Sequence, residues 1–265
     1  MAIRALLFDL DDTLVVDEAV SHETFAHVAA EASSRFGVDP ARFAADAMST
    51  ARELWNEGTS RPFCRSIGIS AFECLWGGFT GETPELTALR EWALSYRVEV
   101  FARTLSLQDK EAPADAASFL SAEFASTRRA RQRLMPGARE LLADLVATRR
   151  IALLTNGAPD LQREKIAASG LEPFFHAIAV SGEHGIGKPK PEIFHRLLSE
   201  LGVDASDAVM VGNSLERDIA GARNAGIRSI WIRVPGSEER AEVTPDHTIT
   251  ALSEIPPLLE GLGGN

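Results

Sequence analysis

Two aspartates one residue apart, Asp9 and Asp11, end a short apolar run and are followed at once by a third, Asp12. A carboxylate can serve as a nucleophile, and a second one within reach can carry protons to a leaving group and from water. In that reading Asp9 attacks phosphorus to give an acyl-phosphate. Asp11 protonates the departing alkoxide and later takes a proton from the attacking water. Carboxylates this close repel one another, which favours a proton on one of them. The structural alternative is that the acids cap a turn or the next helix, although a cap needs only one of them. Asp12 fits a bystander.

Three later clusters carry compatible chemistry. Thr155-Asn156-Gly157 offers a hydroxyl, an amide and backbone N–H groups that can bind phosphate oxygens at a helix start, and it is equally ordinary turn chemistry. Lys188, in Gly187-Lys188-Pro189-Lys190-Pro191, can neutralise a phosphate and nearby carboxylates, whereas Lys190 reads as solvated. The run from Gly182 to Lys188 mimics a GxxxxGK phosphate loop. That reading fails because Pro189 has no hydroxyl to offer a metal ion and disfavours a helical Lys188. The last cluster, Gly212-Asn213-Ser214-Leu215-Glu216-Arg217-Asp218, supplies oxygen ligands, or alternatively Asn213 and Ser214 cap a helix over Leu215–Ala225.

The elements around these clusters follow from periodicity and punctuation. Ile3–Phe8 is continuously apolar apart from Arg4, as a strand buried on both faces must be. From Glu18 to Arg133 the pattern is helical, with segments expected at Glu18–Phe36, Pro40–Glu57, Ser70–Gly78, Glu85–Phe101 and Ala114–Arg131. Gly37 stops the first, and Asp39-Pro40, Pro84 and Pro113 mark new starts. After Met135-Pro136-Gly137 helix and strand alternate. Helices are expected at Ala138–Arg149, Leu161–Ser169, Glu192–Leu201, Leu215–Ala225 and Leu252–Leu259. Strands are expected at Ile151–Thr155, Ala177–Val180, Ala208–Val211 and Arg228–Ile232, with a short piece at Thr248–Thr250. Such alternation specifies a parallel sheet covered on both faces, with the helical block as an insertion after its first strand. The four chemical clusters then fall at carboxyl ends of strands, where open α/β sheets bind ligands.

In this order, the four clusters resemble the four motifs of the haloacid dehalogenase-like superfamily, and the helical block resembles the helical cap of that family. The likeness covers residues 3 to 232. It implies an α/β fold, a doubly wound, Rossmann-like parallel core from residues 1–17 and 134–265, with a helical cap at 18–133. It further implies a Mg²⁺-dependent phosphatase working through an aspartyl-phosphate on Asp9, with Asp11, Thr155 and Lys188 catalytic and Thr155, Asn156 and Lys188 holding substrate. The family's metal is held by the nucleophile's carboxylate and by the backbone carbonyl of the second aspartate, here Asp9 and Asp11. Its fourth motif usually reads GDxxxD, but Asn213 stands at the first of those aspartates, so Asn213 and Asp218 complete the implied metal set with one negative charge fewer. Two alternatives follow. A 2-haloacid dehalogenase uses the same nucleophile without metal, yet needs no acid at Asp11 because halide leaves unprotonated. A non-catalytic binding relative would leave Asp9, Asp11, Thr155, Lys188 and Asp218 unexplained.

Composition narrows the partners. With 38 acidic against 27 basic residues and a formal net charge of -11, the average surface repels nucleic acid and anionic membranes; the small phosphomonoester expected as ligand is what the family resemblance implies. Nothing reaches the roughly 18 apolar residues of a membrane helix. Cys64 and Cys74 lack CxxC spacing and suit reduced thiols, so a cytoplasmic location is expected. Trp55, Phe63, Phe72, Trp76, Phe79 and Trp92 read as the core of the helical block, and Arg128, Arg129, Arg131 and Arg133 as a solvated helix end. The sequence selects neither one ester nor an oligomeric state.

Overall fold

The computed structural model describes residues 3–108, 112–234 and 242–262. Among these, six strands form one parallel sheet. β1 (Ala5–Phe8) lies between β2 (Arg150–Thr155) and β4 (Ala208–Gly212). β3 (Ala177–Val180) flanks β2, and β5 (Arg228–Ile232) and β6 (His247–Ile249) continue beyond β4, giving the order β3-β2-β1-β4-β5-β6. The expected short piece near Thr248 is thus a sixth strand. The strand order reverses between β1 and β4, the switch point where such sheets leave a crevice. Phe8 is in register with Leu153 on one side and Val211 on the other, so Asp9 leaves the sheet level with the ends of β2 and β4.

The chain divides into two compact units, one of residues 17–132 with 158–161 and one of the remainder. The helical unit holds α1 (Glu18–Phe36), α2 (Pro40–Glu57), α3 (Arg61–Ile67), α4 (Ala71–Cys74), α5 (Pro84–Ser106) and α6 (Ala116–Ala130). The first two have the expected bounds because their signals are local. Gly37 takes the left-handed conformation (φ 70°), and the Asp39 carboxylate accepts the Arg42 N–H at 2.7 Å. α3 was not expected, and the segment read as Ser70–Gly78 ends at Cys74. A Cβ on Gly77 would lie 2.6 Å from the Phe79 ring, so the chain there follows packing against Phe79 rather than helical periodicity. Trp76 and Phe79 are buried in this unit's core, with Trp55, Phe63, Phe72 and Trp92 partly buried against it. Arg128 departs from the expected solvated helix end. It is buried, ion-pairs with Asp17 and lies 4.8 Å from the Trp76 ring centroid.

The sheet unit contributes α7 (Ala138–Val146), most of α8 (Pro159–Ser169), α9 (Ser181–His184), α10 (Pro191–Leu201), α11 (Ala220–Asn224) and α12 (Ile255–Leu262). Alternation along the strands builds two cores. Leu6, Phe8, Leu153 and Val211 pack with α7 and α12 on one face, while Ala5, Leu7, Ala152, Ala179 and Met210 pack with α10 on the other. The alanines on this second face leave room for Phe194 and Leu197 of α10. Each fully buried Leu or Phe of β1 contributes roughly 1.5–3 kcal/mol, and this offsets the cost of the charges that follow it. The helix expected over Leu215–Ala225 is divided into a π-helical turn, Leu215–Ile219, and α11.

Candidate active site

β1 delivers Asp9, whose N–H donates to the Val211 carbonyl at 3.0 Å, so the carboxylate is aimed from a sheet-anchored backbone. Lys188 Nζ lies 2.5 Å from Asp9 Oδ1 and 2.7 Å from Asp218 Oδ1, and its side chain is 2% exposed. One buried ammonium thus bridges the acids that follow β1 and β4. Lys188 sits in the irregular segment after α9, and Asn156 holds it there. Asn156 Nδ2 donates to the Lys188 carbonyl and the Lys188 N–H donates to Asn156 Oδ1, both at 2.9 Å. A Cβ on residue 187 would lie 2.5 Å from Asn156 Oδ1, so glycine is needed for that approach. Asp218 returns over its own turn to accept the Ser214 N–H on Oδ2 at 2.9 Å, and a Cβ on Gly212 would lie 2.3 Å from its carboxylate.

The electrostatics follow from this geometry. Burial pushes the Asp9 carboxyl up to about 6, with Lys188 opposing and Asp218 reinforcing the rise. Burial would lower Lys188, but Asp218 and Asp9 outweigh it, so its pKa is raised and the ammonium persists. The charges are therefore one cation against two acids.

Asp11 lies beside this cluster on a tight turn in which the Thr13, Leu14 and Val15 N–H groups all donate to the Leu10 carbonyl. Its carboxylate accepts from Lys165 Nζ on Oδ1 and Gln162 Nε2 on Oδ2, each at 2.9 Å. Gln162 Nε2 also reaches Thr155 Oγ1 at 2.5 Å and the Asn156 carbonyl at 3.0 Å. Asp9, Asp11, Thr155, Asn156, Lys188 and Asp218 are thereby joined into one network. Asn213 flanks it, its carbonyl accepting the Trp231 Nε1–H at 2.8 Å. Lys190 is exposed, as expected. Sequence reasoning missed Gln162 and Lys165. Their signal was position, since the buried stripe of α8 runs through Leu161, Gln162, Lys165, Ile166 and Ser169, and two long polar side chains there need a polar destination.

Magnesium is the metal that the family resemblance implies for these residues. Among the described residues no group of three His, Cys, Asp or Glu side chains is placed to hold a metal. Two carboxylates, the Asn213 amide and backbone carbonyls are nonetheless all hard oxygen donors, and Mg²⁺ is commonly held by one or two carboxylates with water. Two acids face the one Lys188 ammonium, an imbalance of charge that a divalent cation would relieve. The residues fit.

Known proteins resemble this chain over nearly its whole length. The family model for haloacid dehalogenase-like hydrolases matches residues 3–226. Phosphoserine phosphatase of Thermus thermophilus is 39% identical over 256 residues, 96% of this chain and 98% of that protein. N-acylneuraminate-9-phosphatase of Mus musculus is 30% identical over 266 residues, 98% of this chain and 95% of that protein. The HAD-hydrolase YfnB of Bacillus subtilis, solved bound to magnesium, superposes with a TM-score of 0.67 at 23% identity, covering 98% and 99% of the two chains.

Proposed function

The chain belongs to the haloacid dehalogenase-like hydrolases, and on that premise we propose that it is a Mg²⁺-dependent phosphatase acting on a small phosphomonoester through an aspartyl-phosphate on Asp9. The observation that carries this reading is the buried Lys188 ammonium shared by Asp9 and Asp218, with Asp11 alongside. A nucleophilic carboxylate must approach an anionic phosphoryl group, and a fixed cation at the nucleophile lowers that barrier.

Asp9 attacks phosphorus, the P–O bond to the alcohol breaks, and the alkoxide takes its proton from Asp11. Water then attacks the same phosphorus and gives a proton to Asp11, while the acyl–O–P bond breaks to free phosphate and restore the Asp9 carboxylate. The Thr155 hydroxyl and the N–H groups that follow β2 bind phosphoryl oxygens, and Lys188 neutralises them. Asp9, the Asp11 carbonyl, Asn213 and Asp218 would hold Mg²⁺, which when bound supplies further positive charge to the phosphoryl oxygens. In this reading the sheet unit carries the chemistry and the helical unit has the part of a cap.

Both near-full-length relatives described above are named for phosphate esters that also bear a carboxylate, so phosphoserine and N-acylneuraminate 9-phosphate head the substrate panel. The panel further includes nucleoside monophosphates, sugar phosphates and p-nitrophenyl phosphate, assayed for phosphate release with Mg²⁺ and with chelator, beside halide release from 2-haloacids. Phosphate release that needs Mg²⁺ and is lost in Asp9→Asn supports the assignment. Metal-independent halide release, or full activity in Asp9→Asn, overturns it.

A further inference from the structure

Lys165 is the least expected charge in the sheet unit. It lies on the core-facing stripe of α8, next to Ile166, with 1% of its side chain exposed. An ammonium is withdrawn from water only at a large cost unless a charge and hydrogen bonds receive it. Asp11 Oδ1 receives it at 2.9 Å. Gln162, three residues earlier on the same stripe, takes the other oxygen, and each donor therefore addresses one lone-pair direction of the same carboxylate. A single contact would leave the carboxylate free to swing about its Cβ–Cγ bond, whereas two contacts from one helix fix its plane. Gln162 is itself fixed, because it reaches Thr155 Oγ1 and the Asn156 carbonyl at the end of β2, and because a Cβ on Gly157 would lie 2.7 Å from its Cγ. The chain thus joins the strand end read as phosphate-binding to the carboxylate read as acid and base through one amide.

We propose that Gln162 and Lys165 are positioning residues for proton transfer, holding the Asp11 carboxylate in the plane from which it reaches the leaving-group oxygen and then the attacking water. They touch neither substrate nor phosphorus; they act through Asp11. The proposal rests on the phosphatase reading above, and it separates from a purely structural role by its dependence on the leaving group. An alkoxide needs its proton from Asp11 during cleavage, while p-nitrophenolate leaves without one. Water attack needs Asp11 with either substrate.

The test is single-turnover rapid quench with enzyme in excess over p-nitrophenyl phosphate, and over the alkyl ester turned over fastest in the panel. Release of the alcohol or phenol and of phosphate are timed separately. In Lys165→Met, nitrophenolate release should stay within about threefold of wild type, while alcohol release from the alkyl ester and phosphate release from both substrates slow by about 100-fold, the low end of general acid–base contributions. Lys165→Arg should recover most of the loss. Gln162→Met, which keeps the length and leaves Lys165 in place, should show the same pattern at about tenfold. Equal slowing of nitrophenolate and alkyl cleavage would assign the pair a structural role and overturn the proposal, as would unaltered kinetics in both variants. Wild-type enzyme that releases no phosphate, or releases it without Asp9, would instead refute the phosphatase reading itself.

Discussion

Replacing Asp9 with asparagine should make the metal-free sheet unit more stable while removing its chemistry. The Asp9 carboxyl is raised from the ordinary 3.8 to about 6, chiefly by burial, with Lys188 pulling it back and Asp218 pushing it further. The folded chain therefore holds this proton more tightly than the unfolded chain. The associated stability is fully present below pH 3.8 and is lost as the pH rises through about 6. At about 1.36 kcal/mol per pH unit, an ionised Asp9 costs the fold about 3 kcal/mol near neutral pH. Asparagine has the same shape without the charge. Asp9→Asn should thus gain about 3 kcal/mol in chelator at about pH 7.5, shrinking to about 1 kcal/mol at about pH 4.5. Hydrogen exchange of the β1 and β4 amides reports the sheet unit by itself, and urea unfolding gives an independent figure. Saturating Mg²⁺ should narrow the gap, because the cation binds ionised Asp9 and not asparagine. A variant no more stable than wild type at neutral pH in chelator, or a gain that does not shrink on acidification, would refute the argument that the Asp9 carboxylate is held at a cost.

Three further outcomes follow from the same geometry. Asn213→Asp should tighten Mg²⁺ binding by roughly tenfold or more in calorimetric titration, since it restores a formal charge to the donor set. Gly212→Ala should cost about 1–3 kcal/mol in urea unfolding and most of the activity, because its methyl group would lie 2.3 Å from the buried Asp218 carboxylate. Arg128→Met should destabilise the helical unit by about 3 kcal/mol, read from exchange of the α1 and α6 amides. That is the low end for a broken buried pair, because Asp17 remains 18% exposed.

What the sequence made legible depended on whether the cause was local. The caps at Gly37 and Asp39 act within a few residues, so the bounds of α1 and α2 could be read directly. Unbroken apolar runs mark strands buried on both faces, and acids, amides or a threonine placed just after them mark a ligand crevice. Asp9, Asp11, Thr155 and Asn156 are singled out that way, and Lys188 and Asp218 from the loops beyond the third and fourth strands; the structure joins the six in one hydrogen-bonded network. Asn156 was read as a phosphate ligand, but which backbone its amide would grip depended on a residue 32 positions later. Gln162 and Lys165 escaped because polar residues in an amphipathic helix are normally assigned to its solvated side. Only the burial of that stripe reveals otherwise. Arg128 escaped for the converse reason, since its neighbours Arg129 and Arg131 set the reading and its partners, Asp17 and Trp76, lie far along the chain.

The π-helical turn at Leu215–Ile219 has a consequence for how this segment tolerates change in length. Both the Asp218 and Ile219 N–H groups donate to the Ser214 carbonyl, at 2.9 and 3.2 Å, so the first turn is wider than that of an α-helix and Asp218 can fold back toward Ser214 and Lys188. An α-helix advances about 100° per residue. Removing one residue from the turn would restore regular winding and carry the carboxylate around the helix by about that angle, away from the ammonium. Sequences aligned to this one should therefore place their gaps outside the turn, even where a shorter helix would serve the packing of α11 equally well.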